Sequence, residues 1–279
     1  MKKTLTKILA IALCAVLLVT GTIYITLAYL LDESNVVHNT FTVSKNIIIT
    51  LDETKVKVDG TPIDPPARET QTQEYKLVPG ASYTKDPTVH TDENSEACFV
   101  VIAIYDTIFK NADGNDNGIQ DPKSTNVYDQ LAANGWEKLT NCTIQDTYFT
   151  KDPMAAWVTR DEDDKITAHN YTLYYFAGIE GSEELGSAIV PGGKDLKIFE
   201  SFTLDGNVSF DTLKAFEDNK ACFDVIAFGM QTSGYGDAFD AAGTEGQIHI
   251  AFTNTFGVDT TPTPPPTPTP EGGEGNTNN

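Results

Sequence analysis

The stretch CFVVIAIY, Cys98–Tyr105, is apolar at every position apart from the hydroxyl of its last residue. Val and Ile fill half of it, which favours a strand because branched side chains fit a pleated sheet. A strand with one face in water would alternate polar and apolar residues, and this stretch does not. We therefore expect it to be a buried strand at the centre of a sheet.

Apolar alternation with a period of two surrounds this strand, from about residue 38 to residue 256. Several runs stop at turn dipeptides such as Asp59-Gly60 and Pro79-Gly80. The other predicted strands are Phe41–Val43, Ile47–Leu51, Lys55–Val58, Tyr75–Val78, Ile166–Ile179 (one strand or a hairpin), Ile198–Leu204, Cys222–Met230 and Gln247–Asn254. The pattern predicts an all-β fold, a jelly roll or β-sandwich of about nine to eleven strands.

Two or three short helices interrupt this pattern. Val127–Asn134 is followed by Gly135, a residue typical of helix ends. Ser209 precedes FDTLKAFEDN, in which apolar residues recur at helical spacing, so it is the expected N-cap. Asp237–Ala242 is a weaker candidate.

A short internal repeat links two of the predicted strands. ACFVVIA at Ala97–Ala103 and ACFDVIA at Ala221–Ala227 share six of seven positions. Two core strands can converge on similar residues, or the repeat can mark two equivalent neighbouring strands. In the second case Cys98 and Cys222 are candidates for a disulfide, although buried cysteine is also common as a small apolar residue.

The N-terminal 28 residues have the pattern of a signal peptide. Lys2, Lys3 and Lys7 precede an apolar run, Ile8–Leu31. Small residues at the cleavage positions predict removal near Ala28 or Tyr29, and the alternative is an uncleaved anchor, since the run is long enough to span a bilayer. Only the uncleaved chain would then contact a membrane.

Three further segments follow the signal peptide. Residues 29–43 form an N-terminal arm, 44–257 the β-sandwich domain, and 258–279 a tail. The tail carries six prolines between Pro262 and Pro270, which favour an extended spacer, and then a Gly- and Asn-rich end of disordered composition.

The formal charge of the chain is −21. Nucleic-acid binding and docking on anionic lipid both require a basic face, so neither is indicated. A charge of this size keeps an exported protein soluble and makes its association sensitive to salt and pH.

The loop DGNDNGIQD, residues 113–121, has the spacing of a calcium-binding loop. The candidate ligands are Asp113, Asn115, Asn117, the carbonyl of Ile119, and Asp121, at positions 1, 3, 5, 7 and 9 of the loop. Gly118 permits the turn between them, but Ser124 stands where a bidentate Glu is expected. The loop is therefore either a weak extracellular Ca²⁺ site or an Asn- and Asp-rich surface turn.

Sequence motifs for catalysis are missing. His38, His90, His169 and His249 are isolated, and no HExxH, GxSxG or glycine-rich phosphate loop occurs. The sequence therefore predicts no catalytic residues and no certain cofactor.

The segment Thr26–Glu53 resembles the N-terminus of the TasA/camelysin family. The matching residues are Ala28, Tyr29, Asp32, Asn39, Phe41, Thr42 and Val43, with further similarity at Leu77–Gly80, Lys85–Pro87, Gln231, Gly234-Tyr235 and Asp237-Ala238. The resemblance implies export from a Gram-positive cell, a jelly-roll domain, and polymerisation into fibres of the extracellular biofilm matrix. The expected partner is a second copy of the chain, beside other matrix or cell-surface components.

In such fibres the new N-terminal strand of one subunit completes a sheet of the next. The resemblance places the donor strand within residues 30–43 and gives assembly roles to Leu30, Asn39, Phe41, Thr42 and Val43. Two alternatives stay open: a camelysin-like surface metalloprotease, and a monomeric adhesin displayed on the proline-rich spacer.

Overall fold

The computed structural model describes residues 47–70, 72–110, 117–150, 154–236, 238 and 241–261. These residues form fourteen strands, three α-helices and two 3₁₀ turns. The strands are β1 (Ile49–Thr54), β2 (Arg68–Glu69), β3 (Ser82–Thr84), β4 (Thr88–Thr91), β5 (Cys98–Asp106), β6 (Trp136–Leu139), β7 (Cys142–Ile144), β8 (Val158–Arg160), β9 (Ile166–His169), β10 (Tyr171–Phe176), β11 (Asp195–Lys197), β12 (Ser201–Thr203), β13 (Phe223–Gln231) and β14 (Gly257–Asp259). The helices are α1 (Val127–Ala133), α2 (Phe210–Asp218) and α3 (Thr244–Thr255), and the 3₁₀ turns are Asp146–Thr150 and Met154–Trp157.

Two four-stranded antiparallel sheets form the sandwich. The outer sheet has the order β11-β4-β1-β2, and the central sheet has the order β13-β5-β10-β6. The remaining strands pair two by two, as β12-β3, β14-β7 and β8-β9. The predicted all-β sandwich with a few helical inserts is therefore confirmed. It has more strands than expected because many are only two or three residues long, too short for alternation to reveal.

The central sheet lies between two hydrophobic cores. On one face lies the first core, in which Val100, Ile102 and Ile104 of β5 pack with Ile49 and Leu51 of the outer sheet. On the other face, Phe99, Val101 and Ala103 share a core with residues of α3, β8 and β10. Because both faces of β5 are covered, neither set of alternate positions can be polar. This confirms that Cys98–Tyr105 is a buried central strand.

Three predicted strands do not form. Lys55–Val58 and Tyr75–Val78 are irregular, apart from an isolated bridge at Val56, and helix α3 replaces the third. Gln247–Asn254 alternates like a strand, but it folds as part of α3. Ile248, Ala251 and Phe252 are its buried residues, and their spacing places them on one helical face against the central sheet. A run this short fits either period, and packing against the central sheet selects the helix.

The other two helices have the terminal residues that the sequence predicts. Ser209 caps α2 by accepting a hydrogen bond from the Thr212 backbone N–H at 3.1 Å. Helix α1 is followed by Gly135, whose φ of +84° is easily reached only by glycine. In the third candidate, Asp237–Ala242, residues 237, 239 and 240 lie outside the described residues, and Ala241 and Ala242 are not helical. Within the described part of the chain, no helix has the length and apolar character that spanning a membrane requires.

Candidate functional site

A groove of about 1170 Å³ runs along one end of the sandwich. Its walls come from the end of β1, the irregular segment 72–79, helix α2 and the first residues of β13. Four parts of the chain that are distant in sequence therefore meet around one open space.

Apolar side chains line much of the groove, and α2 provides a distinctive part of its rim. None of the α2 residues is buried. Leu213 and Phe216 pack partly against the first core, while Phe210 is 78% exposed. Across the groove, Tyr75 and Leu77 also pack partly against that core. A half-covered apolar face of this kind is typical of a surface that binds another chain.

One wall of the groove is polar and is organised by Glu53. Its Oε2 accepts a hydrogen bond from Lys85 Nζ at 2.8 Å, and its Oε1 accepts one from Gln73 Nε2 at 2.8 Å. The Glu53 and Lys85 side chains are only 12% and 14% exposed. Because both charged groups are shielded from water, each needs the other as a partner.

A network of charges lies beside this wall on the outer sheet. Arg68 joins Asp52 and Asp86 at 2.6 and 2.7 Å. His90 lies between Asp52 and Asp195, with nitrogen–oxygen distances of 2.8 and 2.7 Å. Burial alone would lower the pKa of His90, but the hydrogen bonds to Asp195 and Asp52 outweigh it and raise the pKa above 6.5. The network thus ties β1, β2, β4 and β11 together.

Strand β13 is an edge of the central sheet, and its first residues border the groove. The Thr107 N–H donates to the Cys222 carbonyl, and the register then pairs Asp224 with Tyr105. In an antiparallel pair, every second residue directs its N–H and C=O groups toward the partner strand. Cys222 and Asp224 face β5 in this way, so the N–H and C=O groups of Phe223, Val225 and Ala227 point away from β5. Among the described residues, no strand pairs with this outer side of β13.

The structure contradicts the candidate disulfide. β5 and β13 are indeed neighbours, but they are antiparallel, and Cys98 pairs with Gln231 at the far end of the ladder from Cys222. Nine residues at about 3.3 Å each separate the two thiols by roughly 30 Å along the ladder. Both cysteines are free, as is Cys142.

The candidate calcium loop is only partly described. Asp113 and Asn115 lie outside the described residues. Asn117 donates its side-chain amide to the Ile108 carbonyl, and the Ile119 carbonyl accepts from the Asp205 N–H. Asp121 Oδ1 accepts from the Lys123 N–H. These contacts hold the loop in a turn, and calcium binding stays a prediction.

The signal and assembly residues also fall outside the described part of the chain. Those residues are Ala28, Tyr29, Leu30, Asn39, Phe41, Thr42 and Val43. Cleavage of the leader and the role of the arm therefore stay predictions.

The described histidines lie apart, on β4, β9 and α3. Within the residues that the structure describes, no three His, Cys, Asp or Glu side chains are grouped so that they could hold a metal ion.

The polar wall and the charge network were not visible in the sequence. Gln73 and Lys85 lie 20 and 32 residues from Glu53, and no local spacing in the sequence indicates that the three side chains meet.

Neither the sequence nor the fold matches a protein-family model, a curated protein or a solved structure.

Proposed function

We propose that this protein is an exported structural subunit that assembles into extracellular fibres by strand addition, with β13 as the accepting edge. The supporting observation is that outward-pointing backbone groups of β13 lie next to a large apolar groove. An added strand gains main-chain hydrogen bonds from such an edge, and the groove receives its apolar side chains.

The proposed donor is the arm of a second copy, within residues 30–43. Its apolar residues include Leu30, Leu31, Val36, Val37 and Phe41. The arm becomes an N-terminus only after the leader is removed, so assembly would be restricted to the exported form. This restriction suits a protein that must not polymerise inside the cell.

A proline substitution on the accepting edge tests this proposal. Val225→Pro removes an outward N–H from β13, and edge strands tolerate proline at such positions. Lys138→Pro is the matched control, because the register of β6 on β10 makes its N–H point outward from the opposite edge of the same sheet.

Sedimentation and electron microscopy of the chain from residue 29 should show polymers for the parent and Lys138→Pro. Val225→Pro and a chain starting at residue 45 should remain monomeric while unfolding cooperatively. The proposal fails if the chains starting at 29 and 45 behave identically, or if Val225→Pro polymerises like the parent.

A further inference from the structure

The polar wall of the groove brings together an amine, a carboxamide and a carboxylate. Glu53 contacts Lys85 Nζ through one oxygen and Gln73 Nε2 through the other, each at 2.8 Å. A nucleophile, an acyl group and a proton carrier are thus held within hydrogen-bond reach of one side chain, as amide exchange requires.

The carboxamide of Gln73 is fixed on both sides. Its Oε1 accepts a hydrogen bond from the Val56 backbone N–H at 2.7 Å. Its Nε2 also donates to the Thr54 carbonyl at 2.9 Å. A backbone N–H aimed at an acyl oxygen is the group that stabilises an oxyanion when a nucleophile adds to the carbon.

Lys85 and Glu53 are in direct contact, so the carboxylate is placed to accept a proton from the ammonium. Both side chains are nearly buried, and the Tyr75 ring lies 5.6 Å from Lys85 Nζ. The neutral amine is the form that can attack.

From this geometry we infer that Lys85 and Gln73 become joined by an isopeptide bond within the folded chain. Glu53 takes a proton from the Lys85 ammonium, and the free amine attacks Cδ of Gln73, forming a new C–N bond. The developing oxyanion lies against the Val56 N–H.

Glu53 then passes its proton to Nε2, the Cδ–Nε2 bond breaks, and ammonia leaves through the groove. The carboxylate finally takes the second proton from the new amide nitrogen and releases it to water. The reaction requires no oxidant and no cofactor. The bond would tie the irregular segment 72–79 covalently to the connection between β3 and β4.

Mass spectrometry of the purified, processed chain tests the inference. The folded protein, incubated until its mass is constant, should be lighter than its sequence by one ammonia. Trypsin should fail to cut after Lys85 and should release residues 69–76 joined to residues 77–110.

Lys85→Arg keeps the charge beside Glu53 but cannot form the amide, so it should show neither the mass loss nor the joined peptide. Glu53→Gln should slow the reaction. Lys76→Arg changes another lysine of the groove and should behave like the parent. The inference is overturned if the folded parent keeps its full mass with free peptides on both sides of Lys85, or if Lys85→Arg loses ammonia equally.

Discussion

Gly229 of β13 packs directly against Ile47, which lies two residues before the start of β1. A Cβ atom on Gly229 would be 2.8 Å from Ile47 Cγ2 and 3.4 Å from Ile49 Cδ1. Both isoleucines are buried in the first core. The missing side chain lets the outer sheet pass close over the β13 edge, while the first residues of that strand stay open to the groove.

Gly229→Ala should therefore destabilise the fold by about 1–3 kcal/mol, because the new methyl group overlaps a buried side chain in a packed core. Urea denaturation measures this. Gly206→Ala is the control, since only the Cα of Gly80 lies within 4.0 Å of a Cβ there, and it should change stability by less than about 0.5 kcal/mol. Equal effects of the two variants would contradict the close packing at Gly229.

His90 should make stability depend on pH. Its pKa is raised in the folded chain, so its contribution is fully present below 6.5 and is lost as pH rises through the raised pKa. His90→Gln should lower the free energy of unfolding by about 1 kcal/mol or less below pH 6.5, since the group is partly exposed, and by little at high pH. Asp195→Asn should show a smaller effect with the same sign. A loss that is constant across pH would contradict the bridging role of His90.

The three described cysteines should be poorly reactive thiols. Burial raises the pKa of Cys98, Cys142 and Cys222 to about 12 in each case. Thiol labelling of the folded protein near neutral pH should therefore be slower by about tenfold or more than labelling in urea, because the thiolate is the reacting form. In urea all three thiols should be labelled without a reductant. A disulfide between Cys98 and Cys222 would refute their placement at opposite ends of the antiparallel pair.

Phe210 should matter for assembly and not for folding. Its side chain is 78% exposed at the rim of the groove, so Phe210→Ser should change stability by less than about 0.5 kcal/mol. Sedimentation should nevertheless shift toward monomer, because an apolar contact for the donor strand is lost. Ile189→Ser removes another exposed apolar side chain outside the groove and should leave assembly unchanged. If both substitutions weaken assembly equally, the groove has no special role.

The sequence predicts those elements that local patterns determine. The apolar run of β5 and the Ser209 cap of α2 both needed only neighbouring residues, and both are found where expected. The strand predicted at Gln247–Asn254 was wrong, because alternation in so short a run fits a helix as well as a strand. Packing of Ile248 and Phe252 against the central sheet decided between them.

The candidate site depended on contacts that no local pattern encodes. The repeat in β5 and β13 indicated neighbouring strands but not their direction, and direction alone separates Cys98 from Cys222. The groove likewise arises where Glu53, Gln73 and the start of β13 meet after folding. Its polar wall consists of common residue types at uninformative spacing, so only three-dimensional structure reveals it.

Residue-resolved hydrogen exchange on β13 tests the assembly proposal most directly. The backbone amides of Phe223, Val225 and Ala227 should exchange rapidly in the chain that starts at residue 45. In polymers of the chain that starts at residue 29 they should become protected, because the arm of a neighbour accepts their hydrogen bonds. Exchange that is equally fast in both preparations would contradict strand addition at this edge. Amides already protected in the isolated shorter chain would contradict it as well.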